Sequence, residues 1–349
     1  MPPKKIKIFN KIFFLGVSIV FIFVFVRQFG NISTALETLS QGSWIFLLAI
    51  VVIQFVGIVN RGAFYHSLYD FFSVKDSLKK LTYLSVASNF LNLAAPSGGL
   101  SGMAVFVSEA QRQGMSKTRS IFVNLFAYFL IYMVFILVLL AGLFYLFFNE
   151  QLYAYQLVTA GILFGAIIIL IIIALVALKG ALRVKKLLTF VAGILNYIAR
   201  FLQSKKVLIS DGQIHLISAE ISECLKTIQT KFFQLKMPAL HVLLIEIIDI
   251  LTLFYIFLAF NFSINIGILT SVYAISVLFG LVSITPGGIG VVEATMIVVL
   301  TNLQVPVELA TISVMAYRFF TFWTPFVLGY FAFRKLQREK LIDLENATG

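Results

Sequence analysis

Polar residues interrupt this chain at wide intervals. A helix needs ~20 apolar residues to cross the hydrocarbon core of a bilayer, and stretches at about 8–27, 43–66, 120–148, 156–178, 239–260 and 310–333 reach that length. Two more, 81–108 and 267–303, are equally apolar but broken in the middle by Pro and Gly: Pro96-Ser-Gly-Gly-Leu-Ser-Gly102 and Pro286-Gly-Gly-Ile-Gly290. The pattern predicts an all-α integral membrane protein. It is a polytopic helical bundle forming a single multi-pass membrane domain over 1–349, with two Pro/Gly-broken hairpins of the re-entrant type. The stretch 179–238 is polar enough to fold outside the membrane. In it Leu187, Leu188, Val191, Leu195, Ile198 and Leu202 recur at helical spacing among Arg183, Lys185, Lys186 and Arg200. That predicts a basic amphipathic helix lying on the membrane, with a second helix at about 213–235 packed beside it.

Composition removes the soluble alternatives. The 349 residues are 60% hydrophobic and only 12% charged, with a mean hydropathy of +1.00, against ~25% charged in a soluble domain. The net charge of +12 sits in the loops, where cytoplasmic flanks meet anionic lipid, so nucleic acid is not an expected partner. The single cysteine, Cys224, forms no intramolecular disulfide and completes no zinc motif. Lys4, Lys5, Lys7 and Lys11 precede an apolar run with no small-residue cleavage site, which reads as a retained signal-anchor helix.

Charge asymmetry also orients the chain. The basic insert from Lys179 to Lys236 belongs in the cytoplasm by the positive-inside rule. Working outward, 149–151 and 261–265 fall outside, and the loops bearing Arg112, Lys117 and Arg119, and Lys75, Lys79 and Lys80, fall inside with both termini. The two broken hairpins then enter from opposite faces. Each is followed about 30 residues later by an Ala-Tyr pair, Ala127-Tyr128 and Ala316-Tyr317. Opposed, matched, broken segments are the pattern of an inverted repeat with a binding site at the midplane.

Candidate chemistry lies at the breaks and at ionisable residues within apolar spans. Irregular backbone at membrane depth is tolerated only beside protein or a wet cavity, so Pro96, Gly98, Gly99, Pro286, Gly287, Gly288 and Gly290 mark cavity walls or points of close helix packing. A helix beginning after such a break aims its N–H groups at an anion such as a phosphate. Buried charges cost ~2.5–3.5 kcal/mol each on insertion scales, which singles out Arg61, Glu246, Asp249, Glu293 and Arg318. Arg318 is the first choice for gripping a lipid phosphate, with Glu293 as its counter-ion; a purely structural bridge is the alternative. Arg61 grips a headgroup or snorkels to the inner interface. Glu246 and Asp249, at i, i+3, carry protons, receive a cationic headgroup or pair with Arg61. No nucleophile, metal or nucleotide motif is present, so neither cofactor nor metal is expected.

Pro286-Gly-Gly-Ile-Gly-Val-Val-Glu293 and Ala316-Tyr-Arg-Phe-Phe-Thr-Phe-Trp-Thr-Pro325 with Gly329, supported by 89–102 and the turn at 112–114, resemble the transmembrane flippase region of the bacterial lysylphosphatidylglycerol synthase/flippase family in its stand-alone form. The resemblance implies translocation of a phospholipid, aminoacylated or anionic, between leaflets of a bacterial cell membrane, linked to resistance to cationic antimicrobial peptides. A separate lipid-modifying enzyme or a second copy of the chain is the partner it implies. Family relatives are phosphatidylglycerol lysyltransferases, but their soluble catalytic domain has no counterpart in these 349 residues. A membrane-embedded transferase and a membrane partner of a separate synthase are the alternative readings. Ala127-Tyr128 also stands where many relatives have an Arg.

Overall fold

The computed structural model describes residues 43–94, 100–149, 154–178, 180–201, 211–283 and 285–339. The helix expected at 8–27, and Pro96, Gly98 and Gly99 of the first break, lie outside these residues. Among the described residues the chain is all helix and turn: α1 Trp44–Phe71, α2 Leu78–Ala94, α3 Leu100–Arg112, α4 Lys117–Phe148, α5 Ala154–Leu178, α6 Ala181–Phe201, α7 Asp211–Thr230, α8 Lys236–Ala259, α9 Ile266–Val282, α10 Val291–Asn302, α11 Val307–Arg318 and α12 Thr324–Arg338. A single π-helical turn, Phe319–Trp323, joins α11 to α12.

The helices are longer than the apolar stretches that announce them, because polar first and last turns extend each one. α1 runs to Phe71 rather than 66, so Arg61 lies ten residues inside its C-terminal end, about 15 Å at 1.5 Å per residue. It is therefore a mid-helix residue. Among the described residues four segments are long and apolar enough to cross a membrane: Trp44–Phe71, Lys117–Phe148, Gln156–Leu178 and Phe232–Ala259. Their outward faces carry large apolar side chains such as Ile45, Phe55, Leu137, Phe144, Val158 and Ile162. Hydrocarbon, not water, is the solvent such surfaces fit.

Both broken stretches are pairs of short helices. The first gives α2 and α3, of 17 and 13 residues, and the second α9 and α10, of 17 and 12. At 1.5 Å per residue the longer member reaches about 26 Å and the shorter about 18–20 Å, less than the ~30 Å hydrocarbon core.

The two halves of the chain repeat one succession of elements. α1 and α8 each end in a left-handed residue, Ser73 at φ 62° and Asn261 at φ 55°; α3 and α10 do the same with Gly114 at 84° and Gln304 at 66°. In all four turns the next N–H reaches back five residues: Val74 to Tyr69, Phe262 to Phe257, Met115 to Ala110 and Val305 to Leu300. This pattern captures carbonyls that a helix end leaves unpaired.

Packing exchanges the halves. α1 lies along α8, α2 along α12, and α9 along α4, so each short pair packs on the closing helix of the other half. Glycines permit the approach: a Cβ on Gly142 of α4 would sit 3.0 Å from Ser271 Cα of α9, and one on Gly329 of α12 would sit 2.7 Å from the Val86 carbonyl oxygen of α2.

The insert does more than lie on a surface. α6 and α7 pack together, and Val184, Cys224, Leu225 and Ile228 join the core around α2, α3 and the first half of α4. Burial pushes the Cys224 thiol up to about 11. Glu220 accepts a hydrogen bond from the Ser116 hydroxyl at 2.5 Å, Gln229 donates to the Leu178 carbonyl at 2.9 Å, and Glu223 faces Arg119 at 4.0 Å. Leu182, Phe190, Val191 and Ile194 of α6 stay exposed beside Arg183, Lys185 and Lys186.

Filling a close contact is destabilising by ~1–3 kcal/mol. Gly329→Ala is therefore expected to lower the Tm of the detergent-solubilised protein by several degrees, whereas Gly161→Ala on α5, where a Cβ meets nothing within 4 Å, leaves it unchanged or raises it. Equal shifts would show that α2 and α12 are not in tight contact.

Candidate functional site

Gly287, Gly288 and Gly290 adopt φ of 58°, 68° and 84°, a region that strains side-chain-bearing residues. A Cβ on Gly287 would also lie 2.4 Å from the Phe322 ring. Gly287 and Gly288 thus sit in close protein contact, whereas a Cβ on Gly290 would meet nothing within 4 Å, so that glycine answers the backbone conformation alone. The turn they make, Pro286–Gly288, delivers the chain into α10.

The N-terminal end of α10 already holds an anion. Glu293, in its first turn, folds back so that Oε2 accepts the Gly290 N–H at 2.7 Å, and Oε1 accepts Arg318 Nε at 2.7 Å. Arg318 Nη2 donates to the Gly287 carbonyl at 3.1 Å, and the guanidinium lies 4.4 Å from the centroid of the Phe322 ring. Both side chains are buried, at 9% and 7% exposure. The π-turn that begins at Phe319 lies directly after Arg318, a common irregularity at sites under functional constraint. The sequence expectation that Arg318 and Glu293 meet thus corresponds to a three-way clamp joining α10, α11 and the glycine turn.

The first hairpin is tied by a neutral residue that sequence reasoning passed over. Asn92 Oδ1 accepts the Gly102 N–H at 2.7 Å, and its Nδ2 donates to the Tyr128 hydroxyl at 3.2 Å. One amide therefore links α2, α3 and α4. Asn92 lies inside the motif region and differs from its apolar neighbours, but a lone Asn in a membrane span says little about its partner.

The third grouping runs along the α1–α8 crossing. Gln54 donates to the Thr252 hydroxyl at 2.8 Å, Asn60 donates to the His241 carbonyl at 2.8 Å, and Arg61 Nη2 reaches Asp249 Oδ2 at 3.3 Å. Glu246 Oε2 accepts the Tyr273 hydroxyl of α9 at 2.8 Å, and Tyr317 of α11 lies within electrostatic reach of both carboxylates. Of the readings open for Glu246 and Asp249, the geometry realises the Arg61 pairing for Asp249 alone. Tyr273 had no signal in the sequence; Tyr317 was visible only as half of a repeated Ala-Tyr.

The two arginines differ in one decisive respect. Arg318 is enclosed, whereas 42% of the Arg61 side chain is accessible although Asp249, Tyr273, Glu246 and Tyr317 surround it. A mid-helix cation beside side chains of α8, α9 and α11 thus keeps accessible surface. Its tether is a single long contact. Asp249 Oδ1 is buried without a hydrogen bond.

A further ion pair lies outside the expected set. Lys80 of α2 contacts Glu109 of α3 closely and Asp76 at 3.5 Å, and Gln113 donates to Glu109 at 3.1 Å. Glu109 is fully buried. It follows directly on the charge-free run 81–108, with the opposite charge of Lys80 at the other edge as the signal the sequence offered. Among the described residues no three His, Cys, Asp or Glu side chains converge as metal ligands.

The family model for the lysylphosphatidylglycerol synthase TM region matches residues 12–329. A UPF0104 membrane protein of Methanocaldococcus jannaschii is 32% identical over 93 residues, 27% of this chain and 28% of the relative. Another, from Methanothermobacter thermautotrophicus, is 30% identical over 103 residues, 29% and 30% of the two chains. The matches thus span under a third of the length of these relatives.

Removing one partner of a buried ion pair costs ~3–5 kcal/mol because the other charge is left unpaired. Glu293→Ala and Arg318→Ala are each expected to lower thermal stability in detergent sharply, and the double variant Glu293→Ala/Arg318→Ala less than the sum of the two. Strict additivity would mean that the two side chains do not act as a pair.

Proposed function

The chain belongs to the lysylphosphatidylglycerol synthase TM region family, and from that premise we propose that it carries a phospholipid headgroup across the bilayer past Arg61. The accessible, weakly tethered Arg61 guanidinium deep in the bundle is the observation that carries this reading. A guanidinium grips phosphate through two parallel hydrogen bonds and stays charged at any relevant pH. It replaces Arg318 as the favoured grip because Arg318 already donates from Nε and Nη2 to protein acceptors.

In this reading Glu293, Arg318, Pro286, Gly287, Gly288 and Gly290 hold the second hairpin in shape, and Asn92 does the same for the first. Glu246 and Asp249 complete the headgroup site. The short helix pairs enter from opposite faces and pack on each other's closing helices, which gives the cavity two alternative openings. The membrane is the cell membrane, with the insert and both termini in the cytoplasm. Lysylphosphatidylglycerol, from the family's description, and unmodified phosphatidylglycerol are the first lipids to compare; resistance to cationic peptides would follow from display of the former on the outer leaflet.

Reconstitution of the chain in liposomes with fluorescently labelled phosphatidylglycerol tests this by dithionite bleaching of the outer leaflet. Exchange faster than in empty liposomes, reduced at least about tenfold by Arg61→Ala, is expected; exchange no faster than in empty liposomes, for several headgroups, ends the proposal. For the opposed hairpins, Lys117→Cys and Ser263→Cys in a Cys224→Ser background are expected to react with an impermeant maleimide from opposite sides of the membrane. Labelling from one side would dispose of the inverted arrangement.

A further inference from the structure

α8 presents two carboxylates to one cation. Glu246 and Asp249 share a face, and Arg61 meets only Asp249; the hydrogen bond of Glu246 is to a neutral hydroxyl, that of Tyr273. The other elements packed on α8 do not restore the balance. α1 adds Tyr65, Tyr69 and the paired His66 and Asp70 toward its C-terminal end; α9 brings Tyr273, which faces both carboxylates; α11 brings Tyr317, Glu308 and Arg318, the last already paired with Glu293; α4 carries no Asp, Glu, Lys or Arg between Ser120 and Phe148, with Tyr128, Tyr132 and Tyr145 as its titratable groups there; and the turn Phe232–Leu235 adds none. Among the described residues the cluster is one positive charge short, in surroundings where an unbalanced charge is costly.

We propose that the Glu246–Asp249 pair is a proton-binding site that gains one proton when a headgroup phosphate occupies Arg61. This rests on the headgroup reading of Arg61 given above. Arg61 is held by one contact of 3.3 Å and is 42% accessible, and the second oxygen of Asp249 has no hydrogen bond. A phosphate offers Arg61 two short charge-assisted bonds in place of that one long contact, and so displaces Asp249. The released carboxylate remains beside Glu246, at i, i+3, with no counter-charge. A proton taken up by the pair relieves that like-charge contact, and water reaching the accessible Arg61 side chain supplies it.

The charges balance. A phosphate monoanion enters with one proton, and the net charge of the cluster is the same before and after. Release of the lipid returns Arg61 to Asp249, and the same proton leaves. Lipid and proton therefore travel in one direction, and a proton gradient can drive the lipid. Because the two carboxylates are neighbours, the proton belongs to the pair and not to either residue.

Calorimetric titration of the 349-residue chain in detergent with dihexanoyl-phosphatidylglycerol, in two buffers of different ionisation enthalpy near neutral pH, counts the protons. The expected uptake is about one per lipid bound for the wild type and near zero for Asp249→Asn. If Asp249→Asn is not recovered folded, Glu246→Gln takes its place, with the same expectation of reduced uptake. Binding by the wild type with no proton uptake overturns the proton site and leaves the headgroup site standing. No binding, with liposome exchange intact, overturns both the proton site and the placement of the headgroup at Arg61. Loss of binding and exchange together removes the transport reading itself.

Discussion

A helix broken inside hydrocarbon exposes N–H and C=O groups that no water can satisfy, and this constraint shapes both broken hairpins of the molecule. At the second break the freed groups are answered from within. The Gly290 N–H goes to Glu293, and the Gly287 carbonyl accepts from Arg318. The two side chains then neutralise each other, so neither charge is left uncompensated in a low-dielectric interior. The first hairpin solves the corresponding problem with Asn92. One uses an ion pair and the other an amide, but each crosslinks the short helix after the break to a neighbouring element.

Once the breaks are closed internally, the polar groups left over acquire a different meaning. Arg318 is short of neither partners nor enclosure; Arg61 has one loose partner among the described residues and a side chain that stays accessible. A residue optimised for stability resembles the first, and a residue that must exchange partners during a working cycle resembles the second. The same contrast separates the carboxylates: Glu293 is engaged through both oxygens, while Glu246 leans on a tyrosine and Asp249 leaves one oxygen without a hydrogen bond. Polar groups in incomplete networks lie closest in energy to an alternative arrangement.

Much of this was legible in the chain because membrane solvent imposes simple rules. Long apolar stretches mark helices, and Pro286-Gly-Gly-Ile-Gly290 marks a break; the buried charges could then be counted one by one. Boundaries were less legible: α1 extends through Tyr65 to Phe71, a polar-studded stretch that packs in the core, and this moved Arg61 from an expected inner end to mid-helix. Pairing was less legible still. Arg61 and Asp249 are far apart in sequence, and only the crossing of α1 over α8 brings them together. Tyr273 and Asn92 are single polar residues in apolar surroundings, and their importance lies wholly in their partners. Glu109 was hidden differently, as a charge at the end of a run whose position in the core depends on how α3 folds back on α2.

The reciprocal packing of the halves ties these observations into one mechanical picture. α2 rests on α12 and α9 on α4, through glycine contacts that place backbone against neighbour with no side chain between. Such contacts resist compression and separation, but allow two packed helices to slide over each other by small amounts. α1 and α8, which carry Arg61 and Asp249, meet at the centre through Gly57 and a ladder of polar pairs. A small displacement of one half against the other would be felt first at the weakest rung of that ladder. That rung is the 3.3 Å contact between Arg61 and Asp249.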